Sequence, residues 1–143
     1  TTLCHCSDCR RATGAPMVHW VTAKEGDFQI QAGEPKGHTG KPYMGEHSTT
    51  RYFCGDCGTS IYATASPMKG KVFLYAGVLD QQEALPPPKY HTQTGGGVPC
   101  IITLFDDSIP KHEGWAPQPK SKAEKPCVEG QEPPTKKAKT GNA

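Results

Sequence analysis

Apolar and polar positions along the chain fall into short segments, and none is long enough to repeat a helical period. Six segments rich in β-branched and aromatic residues read as strands: Val18–Val21, Phe28–Gln31, Arg51–Phe53, Ser60–Ala63, Val72–Ala76 and Ile101–Phe105. Phe28/Ile30 and Phe73/Tyr75 alternate locally, the mark of a half-buried sheet. Turns are expected at Gly33-Glu34-Pro35, Pro67–Gly70 and Gly95–Gly97. Two single-turn helices fit the pattern. Ser7 is positioned to cap one that ends near Gly14, and Asp80 with Glu83 resembles a capping box that stops at Pro86. With no internal repeat, the expected class is mainly β: short antiparallel strands with single-turn helices.

Composition sharpens this. Only twenty of the 143 residues are Leu, Ile, Val or Phe, whereas there are 16 Gly and 14 Pro. A core this poor in large aliphatics needs other support, and seven cysteines are available to give it. Their odd number fits metal binding in a reducing compartment better than a disulfide framework. The composition breaks after Trp115. Residues 116–143 hold five Pro, six Lys and three Glu, with Cys127 and Val128 the sizeable apolar residues. Such a stretch buries too little surface to offset the entropy of ordering it. The expectation is therefore a domain over 1–115 and a disordered tail over 116–143.

The tail also holds the positive charge. The whole chain is formally +2, so a tail of +3 leaves the body at −1, and nucleic acid is not an expected partner of the body. The run Lys136-Lys137-Ala138-Lys139 has the character of a nuclear localisation signal that import machinery would read. A cytoplasmic or nuclear location is the expectation. No segment approaches the ~18 apolar residues of a membrane span, and no secretory leader is visible. The chain opens on Thr1 rather than Met, which suggests a segment lost upstream.

Two cysteine groups carry the chemistry. Cys4-His5-Cys6-Ser7-Asp8-Cys9 is a C-x-C-x-x-C cluster. Alternate residues of an extended segment point the same way, so Cys4 and Cys6 converge, and the two-residue spacer lets Cys9 close on the same ion. Arg10 and Arg11 follow and would offset the charge of a three-thiolate site. Cys54-Gly55-Asp56-Cys57-Gly58 is a C-x-x-C-G knuckle at an expected hairpin tip. Structural zinc sites use four protein ligands, and catalytic ones three with an open position. Cys4, Cys6 and Cys9 suit an open, catalytic site, which leaves Cys54 and Cys57 in need of two further ligands. A single structural zinc drawing two cysteines from each group is the other arrangement.

Cys4-His5-Cys6-x-x-Cys9-Arg10-Arg11-x-Thr13-Gly14-Ala15, then Trp20-Val21, Arg51-Tyr52-Phe53-Cys54-x-x-Cys57-Gly58-Thr59 and Gly77-x-Leu79-Asp80 occur in this order. The chain thereby resembles the glutathione-dependent formaldehyde-activating enzyme and centromere protein V family over about residues 1–113. The resemblance implies a β-tent fold and two zinc sites. Cys4, Cys6 and Cys9 would hold the open zinc, and Cys54 and Cys57 would share a structural zinc with an upstream C-x-C pair. That pair has no counterpart here, so the second site is expected to lack two ligands. The family's P-x-x-H segment is matched by Pro88-Lys89-Tyr90-His91, but Gly95-Gly96-Gly97 then replaces an aromatic strand.

The implied function is a zinc-dependent carbon–sulfur lyase acting on a thiol–aldehyde adduct such as S-hydroxymethylglutathione, with glutathione as co-substrate. Arg10 and Arg11, with Lys24, are candidates to hold its carboxylates; charge neutralisation and surface solvation are the plainer roles. A zinc-stabilised, non-catalytic, chromatin-associated binding module is the alternative. His5 is expected to lose to its neighbouring thiolates as a ligand. His91 reads as a loop histidine, Trp20 as core and Cys100 as a small buried strand residue.

Overall fold

The segment Val18–Lys24 alternates buried and more open positions, with Val18 and Trp20 inward, and it organises the sheet around it. The computed structural model describes residues 1–40, 47–105 and 107–117. In chain order these residues form β1 (Thr2–Cys4), α1 (Ser7–Thr13), β2 (Val18–Lys24), β3 (Lys36–Gly40), β4 (Thr49–Phe53), β5 (Ser60–Ala65), β6 (Lys71–Tyr75), β7 (His91–Thr92) and α2 (Pro99–Ile102), with single 3-10 turns between several of them. The seven strands make one sheet in the order β3-β4-β5-β6-β2-β1-β7. All neighbours are antiparallel except β1 and β7. The mainly β class read from the chain is the observed one.

Register decides what meets what. Cys4 lies opposite both Val18 and Thr92, Trp20 opposite Tyr75, and Arg51 opposite Ala63. Directly paired residues share a face, so Cys4, Val18, Trp20 and Tyr75 look onto the side that α1 covers. Cys9 from α1 completes the buried cluster with Val18, Trp20, Ala63 and Tyr75, and Cys4, Cys6 and Phe73 pack against it. The Trp20 and Tyr75 rings are 4.2 Å apart between centroids. Trp20 is core, as expected. The core thus includes the cysteine cluster itself.

Two expected strands are not strands. Phe28 instead closes the turn Glu25–Asp27, its N–H donating to Glu25 O at 3.2 Å. Its ring packs on Tyr62 with centroids 4.7 Å apart, while Ile30 is exposed. One half-buried aromatic anchors this segment without any strand pairing. Ile101–Phe105 falls in and after α2. Pro99 starts the helix, where its missing N–H costs nothing, and the N–H groups of Ile101 and Ile102 both donate to Val98 O. Local helical geometry set by proline overrides the β-branched pattern. Cys100 is consequently exposed on a helix, not buried in a strand.

Helix caps also differ. Cys6, not Ser7, caps α1: its sulfur accepts from the Cys9 N–H at 3.2 Å. Gly14 ends the helix at φ 69°, a conformation that glycine adopts without strain. The helical turn before Pro86 exists as Gln82–Ala84, but neither Asp80 nor Glu83 caps it. The expected disordered tail, with Cys127 and the Lys136–Lys139 run, lies outside the described residues beyond Pro117. Ala116, at the start of that stretch, is buried. No described helix is long and apolar enough to cross a membrane.

Candidate metal centre

β1 ends on Cys4 and α1 begins at Ser7, so the chain turns over three residues and brings sulfurs from both sides of the turn together. The Sγ atoms of Cys4, Cys6 and Cys9 lie within 4.8 Å of one another, and this is the one such group of three or more Cys, His, Asp or Glu among the described residues. Cys54 and Cys57 sit together on the β4–β5 hairpin tip and do not join it. A mixed site with two cysteines from each group is therefore not the arrangement of this fold.

The three sulfurs are electrostatically unlike. Hydrogen bonds from Cys4 and then Cys9 pull the Cys6 thiol far below its ordinary pKa, and backbone N–H groups at the start of α1 help. Cys4 and Cys9 are pushed up, each chiefly by its bond to a neighbouring thiol and further by burial. Three adjacent thiolates without a cation would repel one another. A divalent ion would remove that repulsion. Three converging sulfurs with no oxygen donor among them match zinc's preference and leave one of its four positions for another ligand. The residues fit the group.

Behind the cluster is a hydrogen-bonded chain that the sequence reading missed. His5 and His91 are fully buried, and His5 Nε2 lies 2.8 Å from His91 Nδ1. His91 Nε2 is 3.1 Å from Asp107 Oδ2, and Lys111 Nζ is 2.7 Å from Asp107 Oδ1. Asp107 is held below the usual carboxylate range, first by Lys111 and also by His91. A carboxylate only accepts, so His91 Nε2–H donates to Asp107, His91 Nδ1 accepts, and His5 Nε2–H donates to it. Phe105 packs on both imidazoles. His91 is thus a buried strand residue and not a loop histidine. His5 is not one of the grouped ligands; it is bonded to His91 and braces the turn between Cys4 and Cys6. The P-x-x-H segment was visible in the chain, but nothing local told that its histidine would meet His5.

The candidate substrate contacts divide. Arg10 turns to the backbone, its Nε donating to His5 O at 3.3 Å and its Nη2 to Gly96 O at 2.9 Å. The glycine run therefore lies against the cysteine turn. A Cβ on Gly97 would stand 3.1 Å from His5 Cβ and 2.6 Å from Ile102 Cδ1. Arg11 is exposed, and with Arg10, Gly14, Ala15 and Pro16 it lines a shallow hollow of about 330 Å³. Lys24 ends β2 at the far end from Val18, the residue opposite Cys4. Six residue steps along a strand are about 20 Å, so the fold does not bring Lys24 to the cluster.

On the other side, Arg51 Nη2 reaches Asp8 Oδ2 at 2.6 Å, tying β4 to the first turn of α1. Tyr75 is buried beside it, and burial pushes its hydroxyl pKa up while Arg51 acts against this. Both residues are electrostatic neighbours of Cys9. An arginine directly before the aromatic pair Tyr52-Phe53 was the sequence signal for this contact.

The fold is thus a single β-sheet that carries, at a strand–helix turn, three cysteines able to hold a metal ion. The sequence profile of the glutathione-dependent formaldehyde-activating enzyme family matches residues 1–94, about two thirds of the chain. The chain belongs to that family, which carries glutathione-dependent formaldehyde activation as its suggested function. No curated protein matches it.

Proposed function

We propose that the protein is a zinc-dependent enzyme of carbon–sulfur lyase type, acting on the adduct of a thiol, glutathione in the first instance, with formaldehyde. The observation that carries this reading is the convergence of the Cys4, Cys6 and Cys9 sulfurs within the family-matched region. These three residues would hold the ion. A bound zinc supplies Lewis-acid polarisation and lowers the pKa of a thiol.

The chain's own residues do the rest. The His5–His91–Asp107 chain and Arg10 hold the turn that presents the sulfurs. The half-buried Cys4 and Cys6 leave the centre reachable from outside. Arg11, on the rim of the hollow beside α1, is the candidate for a glutathione carboxylate. In the direction of release, the carbon–sulfur bond of the S-hydroxymethyl adduct breaks with its electron pair going to sulfur. The hydroxyl oxygen becomes the carbonyl oxygen of formaldehyde, and its proton ends on the thiol.

Magnetisation-exchange NMR of glutathione with formaldehyde measures this interconversion directly. Zinc-loaded protein is expected to raise the exchange rate, and Cys6→Ser to abolish the increase. A wild-type rate no greater than that of Cys6→Ser rules the enzymatic reading out.

A further inference from the structure

Among the described residues, two buried hydrogen-bond donors beside the cluster make no well-formed hydrogen bond. They are Tyr75 Oη and Arg51 Nε, both shielded from solvent, with Ser60 and Arg51 the polar groups beside the tyrosine hydroxyl. A buried donor that makes no bond carries its desolvation cost uncompensated. Two on one sheet face therefore call for an acceptor that arrives later.

Their surroundings say which acceptor. Tyr75 belongs to the same buried cluster as Cys9, and its ring is fixed by Trp20 at 4.2 Å. Arg51 is fixed by its Nη2 bond to Asp8, one residue from Cys9. Cys9, Arg51 and Tyr75 are mutual electrostatic neighbours, with Ser60 the further polar group beside Tyr75. As a metal-ligating thiolate, Cys9 is an acceptor with free lone pairs.

We propose that Tyr75 and Arg51 are positioning residues whose Oη–H and Nε–H donate to the Cys9 sulfur when Cys9 serves as a thiolate ligand, and so set how tightly the centre holds its metal. This rests on the metal centre proposed above. The two donors draw off part of the charge that three thiolates leave on a divalent ion, as outer hydrogen bonds do at other metal sites. The ring contact and the ion pair restrict both side chains before metal binds.

The test uses the full chain loaded with cobalt(II) or zinc. Tyr75→Phe removes one oxygen and keeps the ring packing. Its thiolate-to-cobalt charge-transfer band is expected at lower energy than in wild type, because an unbonded thiolate gives up electron density more readily. Zinc affinity is expected to fall roughly 10-fold, with the metal-free thermal midpoint unchanged or raised. Arg51→Lys is expected to shift the band in the same direction. Tyr62→Phe, the same deletion on a ring stacked against Tyr52, is expected to leave band and affinity unchanged. A Tyr75→Phe protein with the wild-type band and affinity overturns the inference, as does one destabilised without metal. Wild-type protein that takes up neither ion overturns this inference and the zinc reading together.

Discussion

His5 Nε2 and His91 Nδ1 are 2.8 Å apart across 86 residues of sequence, in a part of the molecule that water does not reach. The bond joins the turn between Cys4 and Cys6 to the β7 strand, and through Asp107 to the segment beyond α2.

Replacing His91 with Leu is expected to leave His5 Nε2–H buried without an acceptor. The cost is about 1–3 kcal/mol, read as a lower midpoint in thermal or urea unfolding. His91→Gln, which can still accept, is expected to recover part of it. A His91→Leu midpoint equal to that of wild type would mean that the bond contributes nothing net.

Gly97 faces a harder limit. Alanine there would place its Cβ 3.0 Å from the Thr94 carbonyl oxygen and 3.1 Å from His5 Cβ. The Ile102 tip can swing aside, but backbone and a buried imidazole cannot. Gly97→Ala is expected to destabilise by about 1–3 kcal/mol and to weaken zinc binding. Gly77→Ala, where a Cβ meets nothing within 4 Å, serves as the control.

Arg51 and Asp8 form a pair whose side chains are 13% and 35% exposed. Solvent at Asp8 screens the interaction, so Arg51→Met is expected to cost about 1–2 kcal/mol, less than a fully buried pair. A double-mutant cycle with Asp8→Asn isolates the coupling. A coupling energy near zero would leave the pair without a share in holding α1 to the sheet.

Acid should loosen the C-terminal segment in a defined window. Asp107 titrates below its ordinary value of 3.8, so the folded state binds its proton less readily than the unfolded chain. Its stabilising contribution is complete above about pH 4 and is lost as pH falls through the depressed folded value. Metal-free wild type is expected to exceed Asp107→Asn in thermal midpoint at pH 6. The two should converge once the pH has fallen below the depressed folded value. A gap that persists in strong acid would show that the carboxylate charge is not its source.

Metal content separates the two cysteine groups. Cys9→Ser is expected to lose zinc from the three-sulfur centre, whereas Cys57→Ser, exposed on the hairpin tip, should retain it. Removal of zinc by a chelator is expected to lower the thermal midpoint. Equal zinc loss in both variants would show that the groups share one ion.

Much of the centre was legible because it is local. The C-x-C-x-x-C spacing, an extended pair followed by a helical turn, places three sulfurs together whatever the rest of the chain does. Strands centred on Trp20, Arg51–Phe53, Tyr62 and Phe73 were legible for a similar reason, since their residues favour a pleated surface. Phe28–Gln31 and Ile101–Phe105 misled because the same residue types also anchor turns. In the second case Pro99 decided the backbone. β1, β3 and β7 were invisible: each is a few residues long, and pairing with neighbours makes them strands, not composition.

By itself, then, the sequence determined the mainly β class, the two cysteine groups, the three-sulfur centre and membership of a family. Tertiary structure alone decided that His5 meets His91, that Arg10 is spent on backbone carbonyls, that Lys24 lies far off, and that Arg51 and Tyr75 flank Cys9. All but the placing of Lys24 depend on register and chain crossing between residues some 40 to 90 positions apart. Such contacts follow from which strands pair and in what register, and no window of neighbouring residues encodes that.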